Sequence, residues 1–322
     1  MLINNDNLKN ASVSILVALT LLFLLGPVGP AMAQSTLGGN ICYTVITNLK
    51  TFATLFQWLA YTAGTVFVVM GIQHFKAHSE SPQNNKIHTP IMLWAGGAAL
   101  LALPSVIGAI VTSLYGVQGS GGATGWSCDQ GVSSATGSGL DAMMVNFISN
   151  ISTPIVTLVS LIAFLCGLWI MISGLMKASK YGFDPKTNSI TAIATNILFG
   201  ALLISIGDNL NMIMSSVFGN TTVSISAGAG ASMVTSWTAV QNLGASPSFA
   251  NAVGAALTFI QLIGVIAFVR GWLVLKKVAE GSGNASMAAG ITHIVGGVLA
   301  INIFVFLQIM DNTFGTGLLG GS

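Results

Sequence analysis

Long apolar stretches alternate with short turns that carry nearly all of the chain's cations, and this rhythm constrains the fold more than any other feature. About 20 mostly apolar residues suffice to cross the ~30 Å hydrocarbon core of a bilayer as a helix. Six such stretches occur, at roughly 53–74, 91–114, 152–175, 190–216, 252–274 and 289–310. Charged residues make up 6% of the chain, and mean hydropathy is +0.81. That is too little charge to cover the surface of a soluble protein of 322 residues. The expected fold is all-α: a polytopic membrane protein with about six transmembrane helices. Segment 190–216 is the least clean, because it holds Asp208, Asn209 and Asn211.

The N-terminal region reads as an export signal. Lys9 lies in a polar start, the apolar run ASVSILVALTLLFLL follows, and GPVGPAMAQ offers the small-residue pattern Ala31-x-Ala33. Cleavage after Ala33 is expected, a retained anchor helix being the alternative. Export places the mature N-terminus outside. The turns 75–90, 176–189 and 275–288 then face the cytoplasm. These turns and their edges hold Lys76, Lys86, Lys177, Lys180, Lys186, Arg270, Lys276 and Lys277. Loops 115–151 and 217–251 hold no Lys or Arg, and Lys50 alone of the mature chain's cations lies outside. Cations that stay inside set orientation, so a multi-pass bacterial inner-membrane protein with a periplasmic N-terminus is expected. Cys42 and Cys128 both fall outside, where a disulfide between them is chemically reasonable. Cys166, mid-span, reads as a packing residue.

The same plan recurs about every 100 residues. A helix ends in a basic turn, and the next helix carries glycine and ends in an aromatic residue and Gly. The chain divides accordingly into a signal peptide (1–33), a periplasmic segment (34–52), hairpin repeats at 53–116, 152–219 and 251–315, periplasmic loops 117–151 and 220–250, and a tail (316–322). The repeats are parallel, each beginning outside. Small residues let helices approach closely in lipid, so Gly96, Gly97, Gly200, Gly296 and Gly297 are the expected helix-packing positions. Pro104 removes a backbone donor and predicts a kink. The Gly-, Ser- and Thr-rich loops read as connectors or as docking segments for periplasmic partners. Met233 and Trp237, four apart, fit a surface-lying turn.

Residues 63–108, AGTVFVVMGIQHFKAHSESPQNNKIHTPIMLWAGGAALLALPSVIG, resemble the IcmC/DotE family of inner-membrane proteins of Dot/Icm type IVB secretion and related conjugation systems. The likeness lies in Lys76-Ala77-His78, Pro82, Thr89-Pro90 and the Gly-Ala-Ala-Leu-Leu…Leu-Pro-Ser run. GLMKASKYGFDP and LFGALLISIGDNL are similar to IcmD/DotP-type companions, and the third hairpin resembles the same group in its Arg-Gly-Trp and Thr-His-Ile-x-Gly-Gly elements. The resemblance implies a structural component of a secretion or conjugation complex, with no catalytic residues and no cofactor. Its implied partners are other secretion-system membrane subunits or further copies of itself, the lipid bilayer, and periplasmic components through 117–151 and 220–250.

Chemistry-bearing residues are few. His74, His78 and His88 cluster in the first basic turn, and two of them share a helix face. A zinc site needs more ligands and fixed geometry, so a polar interfacial turn is expected there and no metal. Asp208 is the candidate intramembrane polar site, since ionisable groups within spans are costly and often functional. Pro104 and Phe304 occupy roughly its place in the other repeats, which argues against a symmetric transport site. Arg270 is expected to reach the inner interface beside Trp272. No phosphate-binding loop, nucleophile elbow or paired-carboxylate pattern occurs, and neither enzymatic activity nor direct nucleic-acid binding is expected. The rival to a scaffold is a small-solute or proton-coupled transporter working through Asp208.

Overall fold

The computed structural model describes residues 37–83, 86–115, 139–183, 188–219, 224–226, 229–232, 247–281 and 285–315. The expected signal peptide, Cys128, Lys186, most of both polar loops and the Met233/Trp237 turn lie outside the described residues. A helical turn (Leu37–Asn40) and a π-helical turn (Ile41–Ile46) lead into α1 (Thr47–Glu80). Then follow α2 (His88–Leu101), α3 (Leu103–Tyr115), α4 (Leu140–Lys180), α5 (Ile190–Ile204) and α6 (Ile206–Phe218). The last group is α7 (Pro247–Ala279), α8 (Met287–Ile301) and α9 (Ile303–Phe314). A two-stranded antiparallel pair, β1 (Ser224–Ser226) and β2 (Ala229–Ser232), is the one departure from helix among the described elements.

Three helices, α1, α4 and α7, are long and apolar enough to cross a membrane. The other apolar stretches are not straight spans. Each breaks into two helices, bent by 86° between α2 and α3, 81° between α5 and α6, and 81° between α8 and α9. The chain therefore has three candidate spans, or up to six if each bent pair counts as one. Helices α2, α5 and α8 have 14, 15 and 15 residues, about 21–23 Å at 1.5 Å per residue, which falls short of the hydrocarbon thickness. The helices after the bends are amphipathic, as their alternating faces Ile206/Leu210/Met214 against Asp208/Asn211/Ser215 illustrate.

The chain bends beside Pro104, as expected, but a proline is not required for the bend. The first break falls at Ala102, and the same bend occurs at Ser205 and Asn302, where no proline is near. All three hinge residues adopt one conformation, with φ/ψ of −97°/24°, −100°/40° and −101°/30°. This is the sparsely allowed bridge region; Ser205 and Asn302 are buried there, while Ala102 is exposed. At the second break the Ser205 hydroxyl donates to Ala201 O at 2.8 Å. At the third, the Gln261 amide of α7 donates to Ile301 O at 3.0 Å, supplying a donor to a carbonyl at the end of a helix. Gly219 and Gly315, at φ of 70° and 64°, cap α6 and α9 in the left-handed conformation that glycine adopts freely.

The long helices run further than the apolar stretches. Helix α4 begins at Leu140, inside the expected loop 117–151, and continues through Pro154. One buried cluster joins α1–α3 to α4 and α5 through Leu93, Leu100, Leu161, Leu168 and Ile172. A second joins α4–α6 to α7 and α8 through Ala163, Leu203, Leu262, Val265 and Phe268.

Candidate functional site

The glycines act in two different ways. Within each pair of helices, one glycine meets another. A Cβ on Gly64 would lie 2.8 Å from Gly97 O, one on Gly167 would lie 2.8 Å from Gly200 O, and one on Gly264 would lie 2.8 Å from Gly297 O. The sequence separation is the same each time. In lipid, expulsion of water drives nothing, and such contacts hold by dispersion between closely approached backbones. Gly64, Gly167 and Gly264, which complete these seams, were not singled out in the sequence. The signal was there: each precedes the basic turn by about three helical turns. Gly96 has another role. It faces Ser179 of α4, whose backbone N lies 2.9 Å from where a Cβ would stand. Gly296 meets nothing within 4 Å.

Between successive pairs the contacts are polar as well as apolar. Thr89 donates to Gly182 O at 2.8 Å, and His74 packs edge-on against Phe183 with ring centres 4.9 Å apart. His78 lies one turn further along α1, and His88 opens α2. Among the described residues no three His, Cys, Asp or Glu side chains converge as a metal site would require. Further along, Lys276 pairs with Glu280 at 2.6 Å. The Asn196 amide of α5 is satisfied in one orientation only. Its nitrogen then donates to Glu280 Oε1 at 3.1 Å, and its oxygen accepts from Lys177 Nζ at 3.1 Å. Asn196 is 2% exposed. This four-residue bridge spans α4, α5 and α7, and Asn196 was missed because a lone Asn in an apolar run carries no motif. By contrast, Lys76 and Glu80 stand 3.9 Å apart with side chains 79% and 65% exposed, a pair worth little on its own.

The Glu280 bridge carries a prediction. Glu280→Ala removes the acceptor for a buried amide and for Lys276. The expected cost is about 1–2 kcal/mol, read as a lowered thermal midpoint in detergent. Glu80→Ala is expected to leave that midpoint unchanged. Equal effects from both would mean that the bridge contributes nothing special.

Asp208 lies half-buried in the first turn of α6, just past the Ser205 hinge, beside the buried Asn209. Tyr115, at the end of α3, comes up beside Ser205 and Asp208. Counted from the hinges, its counterparts are Ser105 and Val305, neither of them a carboxylate. Asp311 of α9, unremarked in the sequence, is buried at 7% exposure. Arg270 is exposed, and Trp272 meets Phe199 edge-on with ring centres 6.2 Å apart. Lys180 and Lys277 close the basic ends of α4 and α7, while Lys86 is exposed before α2. Cys166 is partly buried and lines a mostly apolar groove of 630 Å³ with Phe56, Trp169 and Leu273, together with Lys276, Lys277 and Glu280. Cys42 lies in the π-helical turn.

Fold and composition together define a helical, membrane-embedded protein. No protein family, curated protein or solved structure matches the chain.

Proposed function

We propose that this protein is a structural inner-membrane component of a type IVB secretion or conjugation apparatus. In this reading it packs against other membrane subunits to form or brace the translocation complex. The basic turns face the cytoplasm, the mature N-terminus and the loops 117–151 and 220–250 face the periplasm, and Cys42 joins Cys128 in a disulfide that a mobility shift on reduction would reveal. The three bent hairpins are tandem copies of one unit. The observation that carries the reading is where the chain places its close contacts: glycine seams inside each hairpin and Gly96–Ser179 between hairpins, so that helix packing occupies the positions that distinguish the sequence. The likeness of residues 63–108 to the IcmC/DotE family supplies the system. Extraction in mild detergent tests it: the protein is expected in a large complex with other secretion-system membrane proteins. Recovery without them would overturn the assignment.

A second reading, a small-solute or proton-coupled transporter, is favoured by one observation. Transporters build midplane sites at helices broken in matched places of their repeats, and breaks occur here at Ala102, Ser205 and Asn302, with Asp208 just beyond one of them. Asp208→Asn separates the two. A scaffold keeps its assembly or loses it without any effect on solute flux; a transporter loses flux with assembly intact.

A further inference from the structure

The hinges and the glycine seams place the three hairpins in a common register. In that register Trp58, Thr62, Thr65, Val69 and Ile72 of α1 correspond to Leu161, Leu165, Leu168, Ile172 and Leu175 of α4. They correspond in turn to Thr258, Leu262, Val265, Val269 and Trp272 of α7. The spacing is that of one helix face. On α4 this face is covered by the first hairpin, with Leu161 and Leu168 fully buried. On α7 it is covered by the second hairpin, with Leu262 and Val265 each 4% exposed. On α1 all five residues are exposed, Trp58 at 65% and Ile72 at 53%. The two threonines do not make this face polar, because their hydroxyls are spent on Leu59 O and Tyr61 O.

The opposite end of the series is open in the complementary way. Gly96 of the first hairpin receives Ser179 of the second. Phe199, its counterpart, receives Trp272 of the third. Gly296, the next counterpart, faces nothing within 4 Å, and Ile291 and Val295 beside it are exposed. The charges match as well. Asn196 bonds Glu280 of the following hairpin, which is paired with Lys276. The counterpart of Asn196 is His293, partly exposed and bonded through Nδ1 only to Ala289 O of its own helix. The counterparts of Lys276 and Glu280 are Lys76 and Glu80, exposed on α1 and already paired in the same i, i+4 arrangement.

We propose that the α1 face of one copy docks on the α7/α8 face of another, head to tail, continuing between chains the interface that joins successive hairpins within a chain. Such a contact is heterologous, so it builds a ring if the rotation closes and a filament if it does not. Glu80 of one copy would meet His293 of the next as Glu280 meets Asn196. The inference stands on the fold and does not depend on the secretion role.

The test uses the full chain in its own membranes, with Cys166→Ser as background. Ile72→Cys and Gly296→Cys, the counterparts of the touching pair Trp272 and Phe199, are placed on two differently tagged copies. Both sites are open, so neither substitution disturbs the monomer. Oxidation or a short bis-maleimide is expected to join the two tags when one copy carries each cysteine, and not when both copies carry the same one. Absence of the mixed adduct while both thiols still react with a maleimide would overturn the proposal, as would adducts between like variants. Native mass in lipid nanodiscs gives an independent reading. Wild type is expected as a multimer and Gly296→Leu as a monomer; a wild-type monomer, or an unchanged multimer in the variant, would sink the idea.

Discussion

Gly200→Leu is expected to take apart the middle hairpin, while Gly296→Leu leaves the fold of the single chain intact. A Cβ on Gly200 would stand 2.9 Å from both Cβ and backbone N of Met171 and 3.0 Å from Gly167 O. Two of those atoms are backbone and cannot rotate aside. Helices α4 and α5 must therefore separate, and the dispersion contacts of the whole seam weaken together. Overpacking in a tight core costs typically 1–3 kcal/mol and sometimes more. With backbone on the receiving side, about 3 kcal/mol is expected, enough to lower the yield of folded protein sharply. Gly296 has open space around it, so its substitution costs the monomer only what a change at a lipid-facing position costs. Thermal midpoints of both variants in the same detergent check the contrast. A Gly200→Leu variant melting with wild type would mean that the seam is not closely packed.

Gln261→Leu is expected to loosen the third bent pair. Gln261 is 2% exposed, and its amide is the donor that reaches Ile301 O across from α7. Bending the chain at Asn302 ends the regular ladder there, so the carbonyls of the last turn of α8 need outside partners. Leucine fits the volume but offers no donor. Leaving a buried carbonyl unpaired costs about 1–3 kcal/mol. The effect should concentrate at the hinge: faster hydrogen exchange of amides in 302–306, with exchange in α4 unchanged. Uniformly faster exchange would point to general destabilisation, and no change would show that the Gln261 bond does not hold the bend. At the second hinge the Ser205 hydroxyl instead adds a second donor to Ala201 O, which already accepts from Ser205 N.

How much of this was legible in the sequence differs by scale. Apolar runs of sufficient length and the shortage of charge identify a membrane-embedded helical chain, because a bilayer core forces backbone groups to bond within each segment. The recurrence of glycine pointed to the right neighbourhoods. It did not separate Gly97, which meets Gly64 inside a hairpin, from Gly96, which meets Ser179 of the next, or from Gly296, which meets nothing. One position along a helix turns a residue by 100°, so adjacent glycines face different neighbours, and only the arrangement of helices says which. Two of the three breaks escaped the sequence for a related reason. Ala102, Ser205 and Asn302 share a conformation but no chemistry, and Pro104 drew attention to a local cause that two of the three bends lack.

By itself, then, the sequence determined that the chain is apolar, helical and suited to a membrane, and which residues are small enough for helices to touch. Those properties follow from side-chain volume, polarity and period, which are local. Only the tertiary structure decided where the second helices bend, that Asn196 links Lys177 to Glu280, and that the shared face of the long helices is covered on α4 and α7 but open on α1. These depend on residues far apart in the chain meeting in space, and no local pattern encodes which face a neighbour will cover.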